Sequence, residues 1–186
     1  AIEAYTSKFR KNPISDALAR EALRLLSGSL LDACKDGGNR ESRENMLLGA
    51  MLAGQAFANA PVAAVHALAY PLGGHFHLPH GLSNALMLGP VLRINAKVAA
   101  PLYAELADAV SVPGYASVEA RSGAFVTHML KLMDESGAPR RLRDVEVTDN
   151  SLAMLASEAM KQQRLLVNNP VEVTEDVALE LYREAY

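Results

Sequence analysis

Apolar residues recur at helical spacing along almost the whole chain, and glycine and proline interrupt that pattern at intervals. Asn12-Pro13 is a typical helix start, and the segment that follows keeps this spacing until Gly37-Gly38. The alternation of apolar and polar residues that is typical of strands is weak throughout, its best stretch being 145–147. The sequence therefore predicts a single all-α domain of about seven to nine helices over residues 1–186.

The glycine and proline breaks predict where the helices begin and end. The predicted helices span about residues 13–36, 42–57, 62–70, 81–96, 101–110, 117–135, 152–166 and 175–186. Pro71 is expected to end the third helix and to leave residues 73–79 as a loop, because proline lacks the N–H that a helix interior needs. Gly89-Pro90 is expected to kink the fourth helix.

The composition is that of a globular protein and excludes several functions. The chain has a net charge of −3 and no basic stripe, which argues against nucleic-acid binding. No stretch approaches the roughly 18 apolar residues of a membrane span, and the first residues do not resemble a signal peptide. Cys34 is the only cysteine, so no internal disulfide can form. That fits a reducing, cytoplasmic compartment, and the apolar helical neighbours of Cys34 predict a buried thiol.

The stretch HALAYPLGGHFHLPHG, residues 66–81, contains four of the five histidines. On one straight helix, His66 and His80 would be about 21 Å apart. Two nitrogens that bind one metal at about 2.1 Å must lie within roughly 4 Å of each other. The pair could share a metal only if the chain reverses between them, which the intervening prolines and glycines allow. His75 and His77 are expected to be loop residues, and His128 a lone packed or surface side chain.

Two imidazoles do not complete a metal site, because a catalytic metal usually takes three or four protein ligands. Glu3 is a conceivable further donor, although nothing in its spacing singles it out. The chain also lacks a glycine-rich loop of the kind that binds nucleotide phosphates. The spacing alone therefore leaves the metal role of the histidines open.

The stretch GQAFANAPVAAVHALAYPLGGHFHLPHGLSNALMLGPVLRINA, residues 54–96, resembles the signature region of the iron-containing (group III) alcohol dehydrogenases. The opening AIEAYTS and the segment AMKQQRLLVNNPVEVTEDVALELYREAY, residues 159–186, resemble the later part of the same family. The resemblance covers nearly the whole chain. It implies the C-terminal helical domain of such an enzyme, without the N-terminal α/β domain that binds the nicotinamide cofactor.

The resemblance also implies roles for individual residues. Family members hold a metal with an Asp and a His four residues apart and with two further histidines separated by 14, which His66 and His80 match. The first two ligands would precede AIEAY and lie outside this chain. Tyr70 stands where a histidine thought to assist proton movement is common, so its phenol is either a relay or structural. Phe57 matches a position that lines the substrate pocket, or it belongs to the core.

The reaction implied by the resemblance is reversible hydride transfer between NAD or NADP and a small alcohol, aldehyde or ketone. Fe²⁺ or Zn²⁺ would act as the Lewis acid, and either ion suits imidazole ligands. The isolated chain is expected to be inactive, and the complete protein to be a homodimer or higher oligomer. Two alternatives share the fold, a hydroxyacid–oxoacid transhydrogenase and a maleylacetate reductase-like enzyme. A third alternative is a non-catalytic helical binding domain.

Overall fold

Residues 1–114 and 117–186 are described by a computed structural model, and these residues form helices joined by short turns, with no strand among them. Nine α-helices occur in this part of the chain: α1 (Ile2–Thr6), α2 (Pro13–Lys35), α3 (Arg40–Asn59), α4 (Ala64–Phe76), α5 (His80–Ala109), α6 (Val118–Glu135), α7 (Leu152–Ala159), α8 (Gln163–Leu166) and α9 (Glu175–Ala185). Short 3₁₀ segments lie at Leu142–Val145, Asp149–Ser151 and Met160–Gln162. The all-α prediction is confirmed.

The helices α2 and α3 form a closely packed hairpin. Asn12 caps α2 by accepting hydrogen bonds from the backbone N–H groups of Ile14 and Ser15, at 3.1 and 3.0 Å. The two helices approach each other closely at Gly49, where a Cβ atom would lie 2.8 Å from Leu26 Cγ. That approach requires glycine, so this residue fixes how tightly α3 can pack on α2.

The long helix α5 lies at the centre of the fold. It packs against α4 and α9 on one side and against α2 and α6 on the other. The buried apolar residues form two clusters, one on each side of α5. Met87 and Val91 of α5 belong to the cluster shared with α4 and α9, whereas Leu92, Tyr103 and Leu106 belong to the cluster shared with α2 and α6. By length and composition α5 could cross a membrane, contrary to the sequence-based expectation. Its apolar side chains are those of a core helix that is covered from two sides.

Three prolines lie inside helices. The helix α4 continues through Pro71 to Phe76, so the predicted end at Tyr70 is wrong and only residues 77–79 remain as a loop. The helix α5 continues through Pro90 and Pro101 to Ala109, so the separate helix that was expected to begin at Pro101 is wrong. Each proline removes one backbone hydrogen bond. All three interruptions lie in helices that pack against several neighbours, and this packing maintains the helical backbone.

Two residues of the α2–α3 hairpin are more exposed than the sequence indicated. Cys34 is exposed, and it lines an open groove together with Leu30, Met46 and Leu47. Phe57 is 47% exposed, which removes the alternative that it is an ordinary core residue of this chain. Because α3 packs on α2 through its small residues around Gly49, its larger apolar side chains point away from the core.

The turn after α8 joins segments that are distant in the sequence. The Asn168 side chain donates to the Val62 carbonyl at 3.2 Å, and the Asn168 carbonyl accepts from the Lys8 N–H at 2.9 Å. Asn169 and Asn95 exchange two side-chain hydrogen bonds, at 2.8 and 2.9 Å. The turn thereby links the segments next to α1 and α4 to α5, and His66 and His80 lie on α4 and α5.

The contact at Gly49 predicts opposite effects for two substitutions in α3. Gly54→Ala should raise the free energy of unfolding by about 0.5–1 kcal/mol, because alanine favours a helix and a Cβ has room there. Gly49→Ala adds the same helical preference, but its methyl group overlaps Leu26. Overpacking costs about 1–3 kcal/mol, so Gly49→Ala should be less stable than Gly54→Ala by that amount. Urea unfolding of the two variants measures the difference, and equal stabilities would contradict the close approach.

Candidate metal centre

His66 lies in the first turn of α4, and His80 is the first residue of α5. The chain reverses between the two helices at His77, which adopts the left-handed conformation with φ of 54°. This reversal places the centroids of the His66 and His80 rings 5.3 Å apart. The turn occupies fewer residues than the sequence indicated, because α4 extends to Phe76 and only three residues complete it.

The Nε2 atoms of the two imidazoles face the same side chain. The amide nitrogen of Asn84 lies 3.0 Å from His80 Nε2 and 3.4 Å from His66 Nε2. Asn84 is one helical turn after His80 on α5, so the backbone places these two side chains side by side. The two Nε2 atoms therefore face one small region between α4 and α5.

Glu3 fixes the orientation of His66 from the opposite edge of the ring. Its Oε2 atom lies 2.5 Å from His66 Nδ1, and its Oε1 atom accepts the Val65 N–H at 2.7 Å. The N-cap residue of α4, Ala63, makes no side-chain hydrogen bond, so the buried carboxylate of Glu3 satisfies one of the free N–H groups there. With Nδ1–H donated to Glu3, a neutral His66 keeps a lone pair on Nε2.

The role of Glu3 was missed by sequence reasoning, which considered it only as a possible ligand. It contacts the ring nitrogen that faces away from His80, and this is the position of a residue that orients a metal-binding histidine. Sixty-three residues separate Glu3 from His66, and no local spacing links them. The only available signal was an acidic residue within an otherwise apolar opening segment.

The other candidate residues lie in different surroundings. Tyr70 is 37% exposed, and its ring centroid is 6.3 Å from that of His80. His75 lies in the last turn of α4, and both it and His77 are exposed. His128 is half-buried on α6, as expected for a packed side chain, and its Nε2 lies 3.1 Å from Ser27 Oγ. Burial lowers the pKa of His128, and the nearby Lys131 lowers it further.

The chemistry of the paired histidines fits part of a metal site. Neutral imidazole nitrogens suit Fe²⁺ and Zn²⁺. The side-chain oxygen of Asn84 is buried and has no hydrogen-bond partner in the described structure, as occurs where a polar ligand is bound. Over residues 1–114 and 117–186, no group of three or more His, Cys, Asp or Glu side chains is placed to hold a metal. His66 and His80 therefore fit two positions of a coordination sphere that needs further ligands.

Comparison with known proteins gives consistent matches over the full chain. The sequence model of the Fe-containing alcohol dehydrogenase family, C-terminal, matches residues 1–186. The 1,3-propanediol dehydrogenase of Klebsiella pneumoniae is 35% identical, and the match covers 100% of this chain and 48% of that protein. The lactaldehyde reductase of Escherichia coli K12 is 34% identical, with the same two coverages. The chain thus spans about half the length of the curated relatives it matches.

Solved structures give the same result for the fold. The crystal structure of a 1,3-propanediol oxidoreductase superposes with a TM-score of 0.95 at 33% identity, over 100% of this chain and 48% of the other. The sulfoacetaldehyde reductase of Bifidobacterium kashiwanohense, in complex with NAD⁺, superposes with a TM-score of 0.84 at 29% identity, over 99% of this chain and 48% of the other. The helical arrangement described above is therefore that of the corresponding half of these enzymes.

The shared carboxylate of Glu3 predicts that Glu3→Gln weakens both the fold and metal binding. A glutamine amide has one oxygen, so it cannot accept from Val65 and His66 together, and one buried donor loses its partner. The free energy of unfolding should fall by about 1–3 kcal/mol. The affinity for Co²⁺ should fall about 10–100-fold, as for other residues that orient a metal-binding histidine. Urea unfolding and optical titration with Co²⁺ measure the two effects.

The matched control for this substitution is Glu172→Gln, which makes the same chemical change at an exposed position. It should leave both the stability and the Co²⁺ affinity unchanged. If Glu3→Gln behaves like this control, the carboxylate does not orient His66.

Proposed function

Because the chain belongs to the iron-containing alcohol dehydrogenase family and spans its C-terminal part, we propose that it is the metal-binding half of an NAD(P)-linked alcohol dehydrogenase. The observation that carries this proposal is the pair of Nε2 atoms, those of His66 and His80, that face one region between α4 and α5. The carboxylate of Glu3 supports it further, because it leaves the Nε2 lone pair of His66 free for a cation.

The remaining parts of the active site belong to the other half of the enzyme. An N-terminal α/β domain supplies an Asp and a His ligand and binds NAD or NADP. The length of the relatives supports this division, since this chain accounts for 48% of the 1,3-propanediol dehydrogenase. A relative of similar fold in complex with NAD⁺ supports the nicotinamide cofactor. We propose a homodimer or higher oligomer for the complete protein.

The residues of this chain contribute binding, orientation and proton handling. When bound, Fe²⁺ or Zn²⁺ supplies Lewis-acid polarisation of the alcohol or carbonyl oxygen. His66 and His80 would hold the ion through Nε2, and Glu3 keeps the His66 ring in the orientation that this would need. Tyr70 lies one turn after His66, near the His80 ring, where its hydroxyl relays a proton of the alcohol. Phe57 presents an exposed aromatic face that lines the substrate pocket.

The substrates we propose are small alcohols and the corresponding aldehydes or ketones. The names of the relatives, 1,3-propanediol dehydrogenase and lactaldehyde reductase, support this class. The resemblance gives a second candidate, a hydroxyacid–oxoacid transhydrogenase of the same fold, since such enzymes can have tyrosine where Tyr70 stands. A panel of aldehydes and 2-oxo acids separates the two candidates when it is assayed once with NADH and once with a hydroxy acid, in place of added NADH, as the hydride donor.

The number of ligands predicts that the 186-residue chain alone is inactive and binds metal weakly. It offers two neutral imidazoles, which do not offset the charge of a divalent cation. With Fe²⁺ or Zn²⁺, NADH or NADPH and a panel of aldehydes, the chain should show no turnover and should lose its metal on dialysis. When it is joined to a matching α/β half, the protein should retain one equivalent of metal and reduce aldehydes.

Two variants of the joined protein test which histidines are responsible. His80→Ala should abolish both metal retention and turnover, whereas the matched control His75→Ala should keep both, since His75 is exposed at the end of α4. Turnover by the isolated chain would show that it contains further ligands. A joined protein that neither binds metal nor transfers hydride would instead be a non-catalytic helical binding domain.

The position of Tyr70 predicts a specific effect of Tyr70→Phe in the joined protein. If the phenol relays a proton, turnover at neutral pH should fall by about 10²–10⁴-fold. The metal content should not change, because Tyr70 is not a ligand. Steady-state kinetics across the pH range, together with metal analysis, measure both quantities. Tyr186→Phe is the control for loss of a hydroxyl elsewhere, and unchanged rates for Tyr70→Phe would make Tyr70 a structural residue.

A further inference from the structure

We propose that Asn84 is a positioning residue that selects the Nδ1–H tautomer of His80 and holds the His66 and His80 rings toward a common point. This inference rests on the proposed function, since it concerns the same two imidazoles. Asn84 lies on α5 one helical turn after His80, and its amide nitrogen contacts the Nε2 atoms of both rings. The side chain therefore links α4 to α5 through the two histidines.

The contact of Glu3 with His66 determines whether the nitrogen or the oxygen of the Asn84 amide faces the imidazoles. A neutral His66 that donates Nδ1–H to Glu3 has only a lone pair on Nε2. The Asn84 oxygen cannot favourably face that lone pair, whereas the NH₂ group can donate to it. The NH₂ group carries two hydrogens, enough for both Nε2 atoms.

A donor at Nε2 restricts the tautomer of the imidazole that accepts from it. A neutral imidazole has one N–H and one acceptor nitrogen, so a ring that accepts at Nε2 carries its hydrogen on Nδ1. His66 is restrained twice, by Glu3 at Nδ1 and by Asn84 at Nε2. Within the part of the chain that the structure describes, the His80 ring makes a hydrogen bond to Asn84 alone. His80 should therefore depend on Asn84 far more than His66 does.

The same tautomer is the one that metal binding requires. A cation binds the Nε2 lone pair, and a ring with hydrogen on Nε2 must first move that hydrogen to Nδ1. Asn84 maintains the competent tautomer of His80, and its short side chain holds both Nε2 atoms within hydrogen-bonding distance of one atom. Because Asn84 donates to the same Nε2 lone pairs that a cation would bind, the cation would displace these two hydrogen bonds when it enters.

Histidine ring nitrogen NMR of the chelator-treated chain at pH 8 tests the tautomer directly. In the unmodified chain, correlations between the ring nitrogens and the carbon-bound ring hydrogens should show that His66 and His80 both carry their hydrogen on Nδ1. In Asn84→Leu, which keeps the size but removes the donors, His80 should shift toward the Nε2–H tautomer, whereas His66 should remain Nδ1–H. Asn84→Ala provides a second variant with good helical preference, and the backbone amide spectrum checks that each variant is folded.

Glu3→Gln provides the reciprocal measurement, because it removes the restraint on Nδ1 of His66 and leaves Asn84 in place. Its effect should be larger on the tautomer of His66 than on that of His80. If the unmodified chain has His80 mainly as Nε2–H, or if folded Asn84→Leu and Asn84→Ala leave the His80 nitrogens unchanged, the proposal for Asn84 is overturned.

Titration of the same samples with Co²⁺ separates this proposal from the proposed function. The Co²⁺ affinity of Asn84→Leu should be about 2–10-fold above that of the unmodified chain, because the cation no longer has to displace a hydrogen-bond donor from Nε2. Equal or lower affinities would overturn the contact of Asn84 with the two Nε2 atoms and leave the metal site intact. If the tautomers respond as described but neither the chain nor the joined protein binds Co²⁺, the metal function fails, whereas the selection of the tautomer by Asn84 stands.

Discussion

The carboxylate of Glu3 is the interaction on which both the start of α4 and the geometry of the histidine pair depend. One oxygen accepts the Val65 N–H at the positively polarised end of α4, and the other lies against His66 Nδ1. A buried carboxylate is costly unless its oxygens are hydrogen-bonded, and here both are. Because one group serves the helix end and the imidazole together, the orientation of His66 is tied to the position of α4. The five-residue helix α1 thereby determines a site whose other members are more than sixty residues away.

Capping residues in the sequence predicted several helix starts correctly, whereas the effect of proline depended on tertiary packing. Asn12, Ser117 and Thr174 cap the helices that they were expected to begin, because a cap needs only a side-chain oxygen and a nearby free N–H. Pro71 and Pro101 were misread for the opposite reason. The loss of one hydrogen bond breaks an isolated helix, but in these helices the neighbouring helices supply the compensating contacts. No pattern within a single segment contains that information.

In the candidate site too, the residues that are close in sequence were predictable, whereas the contact that depends on tertiary packing was not. The 14-residue spacing of His66 and His80 allowed a reversal, and the resemblance to a known family gave the pair its expected role. The spacing of four residues between His80 and Asn84 was equally visible, but asparagine is not among the usual metal ligands and was passed over. Glu3 could not be assigned from spacing, since its contact with His66 depends on how α1 packs against the start of α4. Orienting residues are therefore harder to predict than the ligands that they orient.

The charges around the histidine pair explain why half of such an enzyme would fold without binding its metal tightly. The helices are held by two apolar clusters on either side of α5, and these clusters need no cation. The site itself presents neutral imidazoles, and the carboxylate nearest to them, Glu3, lies on the far edge of His66 and acts through the ring. Strong binding of a divalent cation usually needs three or four protein ligands, and under the proposed function the α/β half supplies the remaining ones, one of them a carboxylate. Metal affinity would then depend on how the two halves meet.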